Sequence, residues 1–104
     1  MKSISIFDRA GSFAENKDVA RDIRTQEIIP TLKNKKEEII LDFRNVEAAT
    51  QSFVHALISD VIRQYGNEAL DRIVFKSCHN TIKKIITIVV DYTQEGMGIE
   101  TDHD

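Results

Sequence analysis

The sequence predicts a small α/β domain, with a mainly parallel sheet of three to four strands and helices in β-α-β-α-β-α order. Short apolar runs alternate with stretches of helical periodicity along the chain, as strands joined by crossover helices do. The run Ile39-Ile40-Leu41 is apolar without a break, the mark of a strand inside a parallel sheet. A length of 104 residues fits one domain around one core.

Each element follows from its own residues. Ile4 and Ile6 alternate with Ser3, Ser5 and Phe7, which predicts a first short strand. Asp8 to Ser12, with Gly11, reads as a loop. Asn16 suits the N-cap of a helix reaching about Asn34, with Val19, Ala20 and Ile23 on one face. Pro30 lacks an N–H and clashes with the carbonyl four residues back. It therefore kinks this helix, or splits it into 16–28 and a short turn around 31–35.

Ile39-Ile40-Leu41 is expected as a central strand buried on both faces, ending at Asp42. From Ser52 to about Tyr65 the helical signal is strongest. Phe53, Leu57, Val61 and Tyr65 recur every four residues, with Val54, Ile58 and Ile62 beside them. Gly66 is a suitable left-handed terminator. Ile73-Val74-Phe75 makes a third strand. Residues 81–92, after Asn80, carry β-branched residues, yet Ile82, Ile85, Ile86 and Val89 share a helical face with Lys83-Lys84 opposite. The helix is preferred there. The domain is expected over 1–95, with 96–104 as a flexible acidic tail.

Composition narrows the function. The net charge of −3 argues against nucleic-acid binding by the whole surface. Lys33, Lys35 and Lys36 are followed at once by Glu37 and Glu38, as in a solvated helix exit. Cys78 is the only cysteine, so no intrachain disulfide forms and a reducing cytoplasm fits. Residues 1–7 are too short and too alternating for a signal peptide. The longest apolar run falls far short of the roughly 20 residues of a membrane span.

The chemistry concentrates between residues 39 and 57. Asp42 ends an apolar run, a short polar connection follows, and Thr50-Gln51-Ser52-Phe53 opens a helix. A serine hydroxyl there lies at the positive helix end, where backbone N–H groups await an acceptor. Two readings of Ser52 stand side by side: Thr50 or Ser52 caps the helix, or Ser52 carries a phosphate. Asp42 orders the following loop in either case. Arg21 and Arg24 either pair with Asp18, Asp22 or Glu27 on an exposed face, or reach toward a phosphate at Ser52. Gln51 and His55 flank Ser52 on the presented surface.

Catalysis has little support in the sequence. His55, His79 and His103 lie at no metal-ligand spacing, and Cys78 and His79 are sequence neighbours that point apart in an extended segment. Ser52 lacks the flanking glycines of a nucleophile elbow. No glycine-rich phosphate loop exists.

Asp42-Phe43-Arg44-Asn45-Val46, followed by Gln51-Ser52-Phe53 and a helix, resembles the core of the STAS domain of bacterial anti-sigma-factor antagonists. That pattern, Asp-Leu-Ser-x-Val, three residues, Asp-Ser-Ser-Gly-Leu, superposes without a gap. Asp42 meets its first aspartate, Val46 its valine and Ser52 its phosphorylated serine. Thr50 replaces the second aspartate and Phe53 the glycine. A nearer resemblance is to the STAS-like family of unknown function. It rests on Val19-Ala20-Arg21-Asp22-Ile23-Arg24, on Asp42-Phe43 with Val46, and on Ser52-Phe53, over roughly residues 15 to 95. His55-Ala56 stand where many members carry Asp-Glu.

The resemblance implies a non-enzymatic, cytoplasmic regulatory module without cofactor or metal. Its protein partner would be a histidine-kinase-like ATPase or a serine kinase. Two alternatives are an oligomerising accessory subunit without a phosphate switch, since exposed sheet edges can pair with another chain, and a nucleotide- or small-anion-binding module at the Ser52 helix start.

Overall fold

Parallel strands alternate with helices as the sequence pattern predicts. The computed structural model describes residues 2–34 and 37–99. In chain order the elements are β1 (Lys2–Ser5), α1 (Ile6–Ala10), β2 (Phe13–Ala14) and α2 (Lys17–Ile23), then a π-helical stretch over Arg24–Ile28 and α3 (Ile29–Lys33). β3 (Ile39–Asp42), β4 (Ala48–Ala49), α4 (Gln51–Tyr65), α5 (Glu68–Asp71), β5 (Ile73–Lys76) and α6 (Asn80–Ile99) follow. Lys35 and Lys36 of the basic cluster, and residues 100–104 of the expected tail, lie outside the described residues.

The main sheet has the order β1-β3-β5, all parallel. Paired residues on parallel strands share a face, so Ile4, Leu41 and Phe75 form one row and Ser3, Ile40 and Val74 form a row on the opposite face. Ile4, Ile39, Leu41 and Ile73 are buried, whereas Ile40 is half-buried and Val74 is 41% exposed. β3 is therefore buried on one face only, not on both as expected. The helices supply one apolar layer, and its core joins the sheet at Ile39, Leu41 and Phe43.

α4 carries the middle of that core. Phe53, Val54, Leu57, Ile58, Val61 and Ile62 are all fully buried, and Tyr65 packs at the edge. α2 on one side and α6 on the other pack against α4. Gly66 ends α4 at φ 76°, and its N–H donates to the Ile62 carbonyl (2.7 Å). Its ψ of −169° puts it in an extended, glycine-specific region and not in the left-handed helical one.

Several local expectations change. Ile6 does not extend the first strand but opens α1, because the Ser5 hydroxyl accepts the Asp8 N–H (3.2 Å) and Ile6 turns into the core. The expected loop after it is thus helical up to Ala10. Asn16 caps α2 as predicted, its side chain accepting from Asp18 and Val19. Pro30 divides the helix less sharply than expected. The Ile29 N–H reaches five residues back to the Arg24 carbonyl, and the widened turn relaxes the clash ahead of the proline. The Thr31 hydroxyl donates to the Glu27 carbonyl (2.7 Å) in the same turn. The final helix passes its expected end at residue 92 and reaches Ile99.

Glu27 binds the two N-terminal elements together through Lys2 (3.0 Å) and Arg9 (3.4 Å). The bonded Lys2 ammonium holds the Glu27 carboxyl below the usual carboxylate range, partial burial opposing it and Arg9 adding to it. A carboxyl more acidic when folded stabilises above its unfolded pKa of about 4.3, and that contribution is lost as pH falls through the folded value.

Two outcomes follow from this packing. Leu57→Ala should lower the unfolding free energy by about 2–5 kcal/mol, read by urea denaturation, while Lys84→Ala on the outer surface stays within about 0.5 kcal/mol. Equal loss in both would mean that the buried face of α4 is misassigned. Glu27→Gln should destabilise by less than about 1 kcal/mol at pH 7, with the gap to wild type closing below about pH 4. A deficit unchanged across that range would assign the effect to packing and not to charge.

Candidate functional site

The segment from Asp42 to Thr50 is built to hold the start of α4 in place. At the end of β3 the Asp42 carboxylate accepts the Arg44 N–H (3.0 Å), closing an Asx turn. The Val46 N–H donates to the Phe43 carbonyl (2.9 Å), with Asn45 left-handed at φ 72°. Asparagine tolerates that conformation better than most residues. Phe43 and Val46 are fully buried and anchor the turn. The N–H groups of Glu47 and Ala48 then share the Ser12 carbonyl (2.8 and 3.2 Å). The parallel pair β2–β4 follows, and the Thr50 N–H donates to the Ala14 carbonyl (2.9 Å).

Thr50 is the N-cap of α4, its hydroxyl accepting the Phe53 N–H (3.1 Å). Gln51 and Ser52 occupy the first two helical positions, both exposed, and Phe53 turns into the core. No hydrogen bond to the Ser52 hydroxyl occurs among the described residues. The cap and the candidate switch are therefore different residues, which the sequence left undivided.

Ser52 lies in an open groove of about 310 Å³ lined by Lys17, Gln51, His55 and Ala56. Gln51 and His55 thus share a surface with Ser52. Lys17 was not singled out in the sequence. It is the first residue of α2, where the helix dipole disfavours a cation. That mismatch was legible, but its spatial neighbour was not. The groove takes its wall from the start of α2 and the start of α4, so Lys17 and Ser52 line one opening. A phosphate or another small anion is the chemistry that such a groove favours.

The arginines are engaged elsewhere. Arg21 pairs with Asp18 (2.8 Å) on an exposed face. Arg24 crosses to α4, donating to the Ala56 carbonyl (2.8 Å) and pairing with Asp60 (3.3 Å). With Lys17 beside Ser52 and Arg24 beside Asp60, α2 and α4 lie side by side and run the same way. No hydrogen bond or ion pair joins either arginine to Asp42, Thr50 or Ser52 among the described residues. Asp42 is felt instead at Cys78, whose thiol burial pushes up, with Lys83 opposing and Asp42 adding. That is the reverse of the environment that activates a nucleophilic thiol. Among the described residues no group of three or more His, Cys, Asp or Glu could hold a metal ion, and no helix is long and apolar enough to cross a membrane.

A family model described as a STAS-like domain of unknown function matches residues 23–83. The match takes in β3, the loop, β4, α4, α5 and β5. Neither a curated protein nor a solved structure matches the chain.

The division of labour at the start of α4 is open to measurement by denaturation. Thr50→Ala should cost about 1 kcal/mol through loss of the cap, and Ser52→Ala should stay within about 0.5 kcal/mol. The reverse ranking would make Ser52 the cap.

Proposed function

The chain belongs to the STAS-like domain family of unknown function, and on that premise we propose a non-enzymatic regulatory protein-interaction module switched by phosphorylation of Ser52. The observation that carries this reading is the Ser52 hydroxyl itself, exposed and without a hydrogen bond among the described residues while Thr50 does the capping. A kinase partner transfers the γ-phosphoryl group of ATP to Ser52 Oγ. The hydroxyl proton goes to the kinase's base and ADP leaves. The partner is a histidine-kinase-like ATPase or a serine kinase of the cytoplasm, the class implied by the resemblance to anti-sigma-factor antagonists. Gln51 and His55 form part of the surface that it meets, and Asp42 orders the loop behind it.

Phosphorylation adds about −1.5 to −2 charges at neutral pH. The helix start accommodates them, by about 0.3–1 kcal/mol at an exposed end, and Lys17 lies in the same groove. A partner surface that had met a neutral hydroxyl now meets a dianion, and an apolar or acidic partner is released. Lys17 also supports a second reading, a small-anion site without covalent modification. In that case inorganic phosphate should shift the amide resonances of Lys17, Gln51 and Ser52, and Lys17→Met should abolish the shift.

The test of the switch begins with a pull-down from lysate of the source cell and intact-mass analysis of the recovered chain. Ser52→Asp should weaken binding to the recovered partner and Ser52→Ala largely preserve it, both variants first checked for fold by circular dichroism. Wild-type binding by both would remove the phosphate switch.

A further inference from the structure

The outer surface of α6 exposes two large apolar residues that core packing does not use, Ile88 and Tyr92, beside Ile85, which packs partly against the core. Ile82, Ile86 and Val89 face the core, and these account for the helix's attachment to the domain. Ile88 is 50% exposed and Tyr92 is 64% exposed, one turn apart, and half-buried Ile85 precedes them. At 100° per residue Ile85, Ile88 and Tyr92 fall within one flank of the helix. Lys84 and Asp91 border the same flank, both exposed, and neither has an ion pair among the described residues. A solvated helix face would place polar residues where Ile88 and Tyr92 stand.

The order of charges along this flank identifies what covers it. Lys84 lies four residues before Ile88, Asp91 three after it and Tyr92 four after it. In a two-fold contact, residues equidistant from the axis meet across it. With the axis at Ile88 and the helices antiparallel, Lys84 of one copy lies level with Tyr92 of the other and one residue, about 1.5 Å, from the level of Asp91, twice. Each ammonium then finds a carboxylate and an aromatic face, and the two Ile88 side chains close on each other. A parallel pairing would set Lys84 against Lys84. We propose that α6 is a self-association surface on which a second copy of this chain docks antiparallel, centred on Ile88. This inference stands apart from the Ser52 reading, since no residue of the Ser52 groove takes part.

One helix pair of this size buries less than about 1,200 Å² in total, the low end of specific interfaces. The dimer is accordingly weak and forms as concentration rises. The neighbouring Lys83 and Thr87, which with Lys84 and Ile88 line an apolar depression of about 340 Å³, give the second copy's side chains a place to enter.

Sedimentation of the full chain from micromolar to millimolar concentration tests this. Wild type should pass from monomer to dimer, and Ile88→Asp should weaken the association by about tenfold or more. Lys84→Glu and Asp91→Lys should each weaken self-association, since like charges then face each other twice. Mixed together, the two variants regain fully complementary contacts, so their heterodimer should bind about tenfold or more tighter than either homodimer, less so at high salt. These charge variants are at exposed positions, and they decide the matter even if Ile88→Asp fails to fold. A wild-type chain that stays monomeric at millimolar concentration would overturn the proposal, as would a mixture no tighter than its components.

Discussion

Thr50 fixes the candidate site at one point in the chain. Its N–H is bonded to the Ala14 carbonyl and its hydroxyl accepts the Phe53 N–H. The first bond ties the loop after β3 to β2, and the second starts α4. Once α4 starts there, Phe53 faces the core and Ser52, one residue earlier, faces solvent, because neighbours on a helix are about 100° apart. A start one residue later would turn the whole stripe from Phe53 to Ile62 away from the core. The burial of that stripe holds the register. Thr50 and the core thus enforce the same placement of Ser52 from opposite sides.

The helix pair α2–α4 extends this constraint into the groove. Arg24 satisfies part of its guanidinium on the Ala56 carbonyl and part on Asp60, a partly buried, charge-assisted attachment between two helices that also pack against each other and share one core. Fixing the far end of α2 in this way fixes its near end, and Lys17 comes to lie beside Ser52. The π turn belongs to the same arrangement. It absorbs Pro30 without separating α2 from α3, so the helix continues to Lys33 and buries Leu32 in the core.

Strong periodicity was legible and short-range pairing was not. The stripe from Phe53 to Ile62, the Asn16 cap and the parallel sense of the main sheet follow from residue patterns that span several turns or strands. β2 and β4 have two residues each, too few for any period, and they form because the loops from Gly11 and Asn45 bring them together. α5 is one short turn and was missed for the same reason. The one-sided burial of β3 depends on where all the helices pack, which Ile39-Ile40-Leu41 cannot reveal by itself. Ser52, Gln51 and His55 line one groove because they share the start of α4, which their sequence neighbourhood makes legible. Lys17 is 35 positions away from Ser52 in sequence, and only the side-by-side packing of α2 and α4 brings it there.

On the proposed switch, the start of α4 accepts a phosphate at Ser52 with the fold intact, because the capping bond belongs to Thr50. The most direct measurement compares the chain carrying phosphoserine at position 52 with the unmodified chain, by thermal denaturation and by amide NMR spectra. The melting temperature should be equal or higher in the phosphorylated chain, with resonance changes confined to the surroundings of Lys17, Gln51 and His55. A clear drop in melting temperature, or shifts spreading through Leu57 and Val61, would show that Ser52 is part of the structural start of the helix and contradict the account.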